Sequence, residues 1–174
     1  MTKIRGILFD MDGVLIDAKE WHYEAFNRAL RLFGHEITRY DHLNSFDGLP
    51  TKDKLHMISH EAYLPESLHG FINQLKQDYT KEMIETKCKP VFQHEYALAK
   101  LKKEGYRIAV CSNSIRDKIE NMMRKAALID YLEFIMSNED VEHSKPSPEI
   151  YIKAMKKMNL KPDECLILED NKNG

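Results

Sequence analysis

Residues 4–13 read IRGILFDMDG, a short apolar run that ends in two aspartates. A run of this length and composition is typical of a strand that is buried on both faces. Asp10 then stands at the carboxyl end of that strand, and Asp12 lies in the turn that follows. The stretch therefore predicts the first strand of a covered sheet, with carboxylates at its edge.

The second half of the chain alternates between strand and helix. Apolar runs predict strands at 107–111, 132–136 and 165–168, and helical spacing predicts helices at about 115–127 and 148–158. Such alternation indicates right-handed crossovers and a parallel sheet, in which ligands bind outside the carboxyl ends of the strands. We therefore expect an α/β fold.

The segment after the first strand has a different character. Apolar residues recur at helical spacing over 21–32, with Asp17 as the expected N-cap. Helical spacing resumes after a predicted turn at 46–51. We expect residues 17–86 to be wholly helical.

Composition excludes several classes of protein. The chain has 174 residues, with 26 Lys and Arg against 28 Asp and Glu, a net charge of −2, and 43% hydrophobic residues. This length suits one compact domain, or one with an insert, and the balance excludes collagen-like, disulfide-scaffold and disordered chains. The near-neutral charge gives no electrostatic field strong enough to favour binding to nucleic acid or to an anionic membrane. We therefore predict small-molecule ligands.

The cysteines and the N-terminus predict a cytoplasmic protein. Cys88, Cys111 and Cys165 are too far apart for a zinc or redox motif, which favours reduced thiols, and Cys111 is expected in a buried strand. The first apolar run is too short for a signal peptide, and no stretch approaches the ~20 apolar residues of a membrane span. The oligomeric state stays open.

Polar and charged residues follow the predicted strands at the edge where ligands bind. They are, in chain order, Asp10, Asp12, Ser112, Asn113, Lys145, Glu169 and Asp170. Carboxylates packed together repel unless a cation neutralises them, and oxygen ligands of this kind suit Mg²⁺, which also binds phosphate oxygens. Singly, each feature has an ordinary explanation: a solvated turn, a turn hydroxyl or a surface lysine.

Together these residues resemble a known family. The stretch DMDGVLID at 10–17, followed by Ser112, Lys145 and Glu169-Asp170, resembles in order and spacing the four motifs of the haloacid dehalogenase superfamily. The resemblance covers essentially the whole chain. The helical segment is similar to the cap of the beta-phosphoglucomutase-like subgroup.

The resemblance implies an architecture as well. A Rossmann-like parallel-sheet core would comprise residues 1–16 and 87–174, and an all-helical cap would be inserted at 17–86. Members of the superfamily continue with a further strand and helices after the motif at Glu169-Asp170. The resemblance therefore implies that the C-terminal part of the core is missing from this sequence.

The motif residues inherit roles from the resemblance. Asp10 would be the nucleophile that forms an aspartyl-phosphate, and Asp12 the general acid and base. Mg²⁺ would be bound by Asp10, by the main-chain carbonyl of Asp12 and by Asp170. Glu169 would orient a water molecule on the metal.

Phosphate binding is implied for the loops after the second and third strands. Ser112 would donate a hydrogen bond to a phosphoryl oxygen, and Lys145 would stabilise its charge while it pairs with Asp10. Asn113 would add a further contact to the phosphate.

The resemblance also places five cap residues near the substrate: His22, Gly48, Thr51, Lys52 and Lys76. Mutases of the subgroup hold a second phosphate with an arginine in the loop where this chain has Thr51 followed by Lys52. Threonine cannot form a bidentate clamp, and a lysine is only a point charge. We therefore predict a Mg²⁺-dependent phosphatase that acts on a small phosphorylated metabolite, most simply a sugar phosphate.

Two alternatives remain at this point. One is a sugar-phosphate mutase of the beta-phosphoglucomutase type. The other is a catalytically weak, partner-binding protein of the same fold. The presence of both Asp10 and Asp12 argues against the second alternative, because a binding module has no chemical need for the pair.

Overall fold

The computed structural model describes residues 3–46 and 49–171. The chain divides into two compact units. The sheet unit comprises the chain up to Asp17 together with the chain from Cys88 onward, and the helical unit comprises Ala18–Lys87. Among the described residues, no helix is both long and apolar enough to span a bilayer.

The sheet unit is built on four parallel strands. In chain order they are β1 (Gly6–Phe9), β2 (Arg107–Cys111), β3 (Phe134–Met136) and β4 (Cys165–Leu168). Their order in the sheet is β3-β2-β1-β4, and all three pairings are parallel. The predicted α/β class is confirmed.

The helices of the described residues follow from apolar spacing. In chain order they are α1 (Lys19–Arg31), α2 (Arg39–Asp41), α3 (Thr51–Ala62), α4 (His69–Lys87), α5 (Phe92–Lys103), α6 (Arg116–Lys125) and α7 (Glu149–Lys157). A π-helical segment, His42–Phe46, continues directly from α2.

The core of the sheet unit lies between β1, β2 and α7. Leu8 of β1 and Ala109 of β2 are fully buried and cluster with Ile150 and Ala154 of α7. Burial of an aliphatic side chain contributes roughly 1.5–3 kcal/mol, so this contact fixes α7 on one face of the sheet. The strand ends that follow β1 and β2 are thereby held rigidly.

The helical unit has its own core and its own polar anchor. Phe26, Leu30 and Ile72 are buried together between α1 and α4. Asn27 is 1% exposed, and its amide donates to the carbonyl of Ile37 and accepts from the N–H of Ile37, both at 2.9 Å. This pair of bonds satisfies the buried amide and holds the chain after α1 against that helix.

The predicted N-cap of the first helix is wrong. Helix α1 begins at Lys19, its N-cap is Ala18, and no side chain caps it. The turn after β1 extends further than expected, because the N–H of Gly13 donates to the carbonyl of Ile16 at 2.7 Å. Asp17 therefore precedes the helix by more than the one position that capping requires.

Candidate active site

The carboxyl ends of the strands carry the candidate residues into one region of the sheet unit. The N–H of Asp10 donates to the carbonyl of Leu168 at 2.9 Å, and the N–H of Ser112 donates to the carbonyl of Met136 at 3.0 Å. These bonds extend the strand ladders by one residue past β1 and β2. Asp10 and Ser112 therefore have the rigidity of the sheet rather than that of a loop.

Lys145 joins two of the carboxylates. Its ammonium lies 2.8 Å from Oδ1 of Asp10 and donates a short hydrogen bond to Oε1 of Glu169. The three side chains are 7%, 12% and 15% exposed, in the order Lys145, Asp10, Glu169. Charges this poorly hydrated persist only when they are paired, so Lys145 is held at the site by its partners.

The carboxylate of Asp10 has a raised pKa. Burial raises the pKa of Asp10 from 3.8 to about 6, and the ammonium of Lys145 opposes that rise. The neighbouring carboxylates of Glu169 and Asp12 raise this pKa further. A buried carboxylate surrounded by other carboxylates is the group that gains most from an added cation.

The carboxylate cluster fits a hard divalent cation. Carboxylate oxygens of Asp10, Glu169 and Asp170 all lie within 4.8 Å of one another. The three carboxylates lie together, and the ammonium of Lys145 contacts two of them, Asp10 and Glu169. The donor set consists of oxygen atoms, which Mg²⁺ prefers, and the residues present therefore fit that ion.

Gly13 makes room for one of these carboxylates. Its φ is +89°, and a Cβ atom at this position would collide with the carboxylate of Asp170. Only glycine combines that backbone conformation with so close an approach. The glycine of the first motif thus allows the last motif to reach the cluster.

Asn113 has a role that the sequence did not reveal. Its side-chain amide donates to the carbonyl of Lys145 at 3.2 Å and accepts from the N–H of Lys145 at 3.0 Å. Both polar ends of the side chain thus contact main chain. The predicted phosphate contact of Asn113 stays a prediction, whereas its contact with the Lys145 loop is observed.

Two further residues at the site were missed by sequence reasoning. The hydroxyl of Tyr151 donates a short hydrogen bond to Glu169, and its ring centroid lies 4.9 Å from the ammonium of Lys145. Burial, followed by the hydrogen bond to Glu169, raises the pKa of Tyr151. Lys118 lies 4.0 Å from Oδ2 of Asp12. In the sequence, Tyr151 is one aromatic residue on a helix and Lys118 is one lysine on another, and neither pattern distinguishes a site residue.

Ser112 and Cys111 stand side by side at the end of β2. Ser112 is 2% exposed, and its hydroxyl oxygen accepts from the N–H of Ser114 at 3.2 Å. Cys111 is fully buried, and burial raises the pKa of its thiol to about 12. Cys111 is therefore part of the core, as predicted, and not a nucleophile.

The predicted cap residues belong to the helical unit. His22 lies on α1 and is half-buried, Thr51 begins α3, Lys52 is exposed on α3, and Lys76 is half-buried on α4. Gly48 lies outside the described residues. The substrate-binding roles of these residues stay predictions.

The chain is similar to known proteins in sequence and in fold. The chain is 25% identical to a phosphorylated carbohydrates phosphatase of Thermotoga maritima, over 98% of this chain and 78% of the relative. It is 28% identical to the pyrophosphatase PpaX of Bacillus cereus, over 97% and 76% respectively. The structure of a beta-phosphoglucomutase from Clostridium difficile matches with a TM-score of 0.80 and 24% identity, over 98% of this chain and 78% of that chain.

The sequence pattern that describes haloacid dehalogenase-like hydrolases matches residues 7–174. This range includes each of the four predicted motifs and both edge strands of the sheet, β3 and β4. The predicted resemblance is confirmed, and so is the enzyme class that it implied. The chain belongs to the haloacid dehalogenase-like hydrolase family.

Proposed function

We propose that the protein hydrolyses the phosphoric monoester of a small phosphorylated metabolite, a sugar phosphate, through an aspartyl-phosphate on Asp10. One observation carries the proposal: a buried Asp10 lies 2.8 Å from the ammonium of Lys145, within a cluster of carboxylates at the strand ends. A nucleophile, a cation for the phosphoryl charge and a metal-binding set are thus combined at one edge of the sheet.

The chemistry divides into two displacements. In the first, a carboxylate oxygen of Asp10 forms a bond to phosphorus while the bond from phosphorus to the leaving oxygen breaks, and Asp12 gives that oxygen a proton. In the second, Asp12 takes a proton from water, the water oxygen bonds to phosphorus, and the Asp10–phosphorus linkage breaks. Inorganic phosphate leaves, and Asp10 and Asp12 return to their initial states.

The remaining residues stabilise charge. Asp10, the main-chain carbonyl of Asp12 and Asp170 would hold Mg²⁺, which would supply electrostatic screening of the phosphoryl oxygens. The hydroxyl of Ser112 and the ammonium of Lys145 are fixed before substrate arrives, so they bind a developing charge without reorganisation. Glu169 orients Lys145 through its hydrogen bond and would also orient a water molecule on the metal.

The substrate class is argued from the relatives. The Thermotoga maritima relative is described as acting on phosphorylated carbohydrates, which supports a sugar phosphate. The Bacillus cereus relative is described as a pyrophosphatase, so pyrophosphate belongs in any test. We also propose that residues 17–86 act as a cap that selects the substrate. A cytoplasmic location and the absence of nucleic-acid and membrane partners stay predictions.

A screen of sugar phosphates and pyrophosphate, with Mg²⁺ or with EDTA, tests the proposal. Phosphate release should require Mg²⁺ and should fall by roughly 10³-fold or more in Asp10→Asn. Asp130→Asn, an exposed carboxylate change between α6 and β3, is the matched control and should leave release unchanged. Near-native activity in Asp10→Asn, shown by mass spectrometry to be free of deamidation, contradicts the aspartyl-phosphate mechanism.

A mutase is the second candidate, favoured by the likeness of fold to the Clostridium difficile enzyme. Incubation with a hexose 1-phosphate and a trace of the matching bisphosphate separates the two. The phosphatase should release inorganic phosphate and form little 6-phosphate isomer, because Thr51 cannot clamp a second phosphate. Faster isomer formation favours the mutase.

A further inference from the structure

We propose that Lys118 is a positioning residue, which holds the carboxylate of Asp12 in the orientation from which it exchanges a proton with the substrate. This inference rests on the proposed function, because it assigns proton transfer to Asp12. Lys118 belongs to none of the four motifs.

Helix α6 brings Lys118 to the site. The helix begins at Arg116, shortly after the loop that follows β2, and Lys118 is its third residue. The ammonium of Lys118 donates to Oγ of Ser114 at 3.0 Å and lies 4.0 Å from Oδ2 of Asp12. Lys118 thus links the loop after β2 to the turn after β1.

The burial of Lys118 argues for a specific role. Its side chain is only 12% exposed, whereas lysine is among the residues least often buried. A cation in the first turn of a helix is also unfavourable, because the N-terminal end of the helix dipole is positive. Lys118 therefore keeps its place through its partners, which include a site serine and a site carboxylate.

The loop after β2, which carries Ser112 and Ser114, fixes the direction of the Lys118 ammonium. Ser114 accepts from Lys118 through its hydroxyl oxygen and donates from its N–H to Oγ of Ser112 at 3.2 Å. A series of contacts therefore runs from Ser112 through Ser114 and Lys118 to Asp12. Because the main chain of Ser112 extends the hydrogen-bond ladder of β2, these contacts fix the position of the Asp12 carboxylate relative to the sheet.

This placement predicts a particular kinetic defect. Asp12 is 27% exposed, and without the ammonium its side chain can rotate toward water. Proton transfer requires a heavy-atom distance of about 2.6–3.2 Å, so rotation removes general acid catalysis without removing phosphate binding. The loss should be large for a leaving group that needs a proton and small for one that does not.

Single-turnover release of the phenol from phenyl phosphate and from 4-nitrophenyl phosphate tests the inference in Mg²⁺. 4-Nitrophenol is the better leaving group, and the two esters share a shape. Lys118→Met should slow phenol release from phenyl phosphate by about 10- to 100-fold, and release from the nitrophenyl ester by less than about 3-fold. The concentration that gives half-maximal rate should stay within about 2-fold for both esters, since phosphate binding is retained.

Three further variants exclude a merely structural effect. Lys118→Arg keeps the charge and should restore most of the phenyl phosphate rate. Arg124→Met removes a cation farther along the same helix, where Arg124 pairs with Glu120, and should change neither rate. In an Asp12→Asn background, Lys118→Met should add no more than about a 2-fold loss, because the residue it positions is already disabled.

The outcomes are separable. Equal losses on the two esters, or no loss on either, overturn the role of Lys118 while the phosphatase proposal stands. If the wild-type protein turns over neither ester and none of the sugar phosphates or pyrophosphate of the screen above, the proposed function is overturned and the inference with it. If Lys118→Met melts below the assay temperature, Ser114→Ala, which removes the anchor and keeps both charges, must show the same leaving-group dependence, and a uniform loss contradicts the proposal.

Discussion

The side chain of Asn113 holds both polar groups of the Lys145 main chain, donating to its carbonyl at 3.2 Å and accepting from its N–H at 3.0 Å. The loop after β2 is therefore hydrogen-bonded to the main chain of the residue that presents the Lys145 ammonium. Asn27 grips Ile37 with the same pair of bonds in the helical unit. The difference is that Lys145, the residue held by Asn113, belongs to the candidate site.

Asn113→Ala should lower kcat by roughly 10-fold and leave KM nearly unchanged, because the ammonium of Lys145 loses its fixed position while phosphate binding persists. Steady-state kinetics with 4-nitrophenyl phosphate measure this split. Asn44→Ala, which removes one exposed bond from a side chain to the main chain, is the control and should preserve both constants. A rise in KM with unchanged kcat would instead support the direct phosphate contact predicted for Asn113.

Asp10→Asn should stabilise the metal-free protein at neutral pH. The pKa of Asp10 is about 6 in the folded protein against an ordinary 3.8, so the folded state binds a proton more tightly than the unfolded state does. Stability is therefore lost as pH rises from about 4 to 6, and the cost above pH 6 is about 3 kcal/mol. Asparagine is uncharged and avoids that cost.

Urea denaturation in EDTA, at pH 4.5 and at pH 7.5, measures the effect. The variant should exceed the wild type by about 2–3 kcal/mol at the higher pH and by much less at the lower pH. Excess Mg²⁺ should narrow the difference at pH 7.5, since the wild-type cluster gains a cation. A variant that is less stable than the wild type at pH 7.5 would show that the pairing of Asp10 with Lys145 outweighs the burial of its charge.

Gly13→Ala should weaken Mg²⁺ binding, because the new methyl group displaces the carboxylate of Asp170. The matched control is Gly105→Ala, at φ +87° with nothing within 4 Å of its added Cβ. Each variant should lose about 1–2 kcal/mol of stability from its positive φ. Only Gly13→Ala should raise the Mg²⁺ concentration needed for half-maximal activity, and an equal shift in both would refute the steric argument.

Tyr151→Phe should also weaken Mg²⁺ activation, by about 10-fold, because Glu169 loses the hydroxyl that orients it. Calorimetric titration with Mg²⁺ provides a readout besides activity. Tyr131→Phe removes a longer bond, at 3.5 Å to Glu95, and should have no effect on the metal. Unchanged Mg²⁺ affinity in Tyr151→Phe would assign this hydroxyl to packing alone.

The limits of β2 and β4 were predictable because each strand ends where apolar residues give way to polar ones. Residues 107–111 and 165–168 were expected as strands, and β2 and β4 have those limits. In each case an apolar run ends at polar residues, and this pattern marks β4 as well as β2, although β4 is partly exposed. The start of α1 was not predictable in this way, because the turn from Asp12 to Ile16 depends on a main-chain bond that no side chain signals.

The motif positions were likewise predictable, whereas the supporting contacts were not. Lys145 was expected beside Asp10, and its ammonium contacts that carboxylate. Lys118 and Tyr151 reach the site from the first turns of α6 and α7, where a lysine or a tyrosine also serves solvation or packing. Their roles depend on where two helices meet the sheet, which is information about long-range packing rather than about local sequence.

The buried thiol of Cys111, next to Ser112, can be used to measure transient opening of the sheet unit. Alkylating reagents attack thiolates, and a thiol with a pKa of about 12 that is fully buried reacts only when the surrounding structure opens. Cys88 is also buried in this unit, whereas Cys165 is half-buried and reacts first. The rate at which Cys111 is alkylated therefore measures how often the structure opens at the end of β2. A phosphate analogue that binds at Ser112 should lower this rate in proportion to its occupancy.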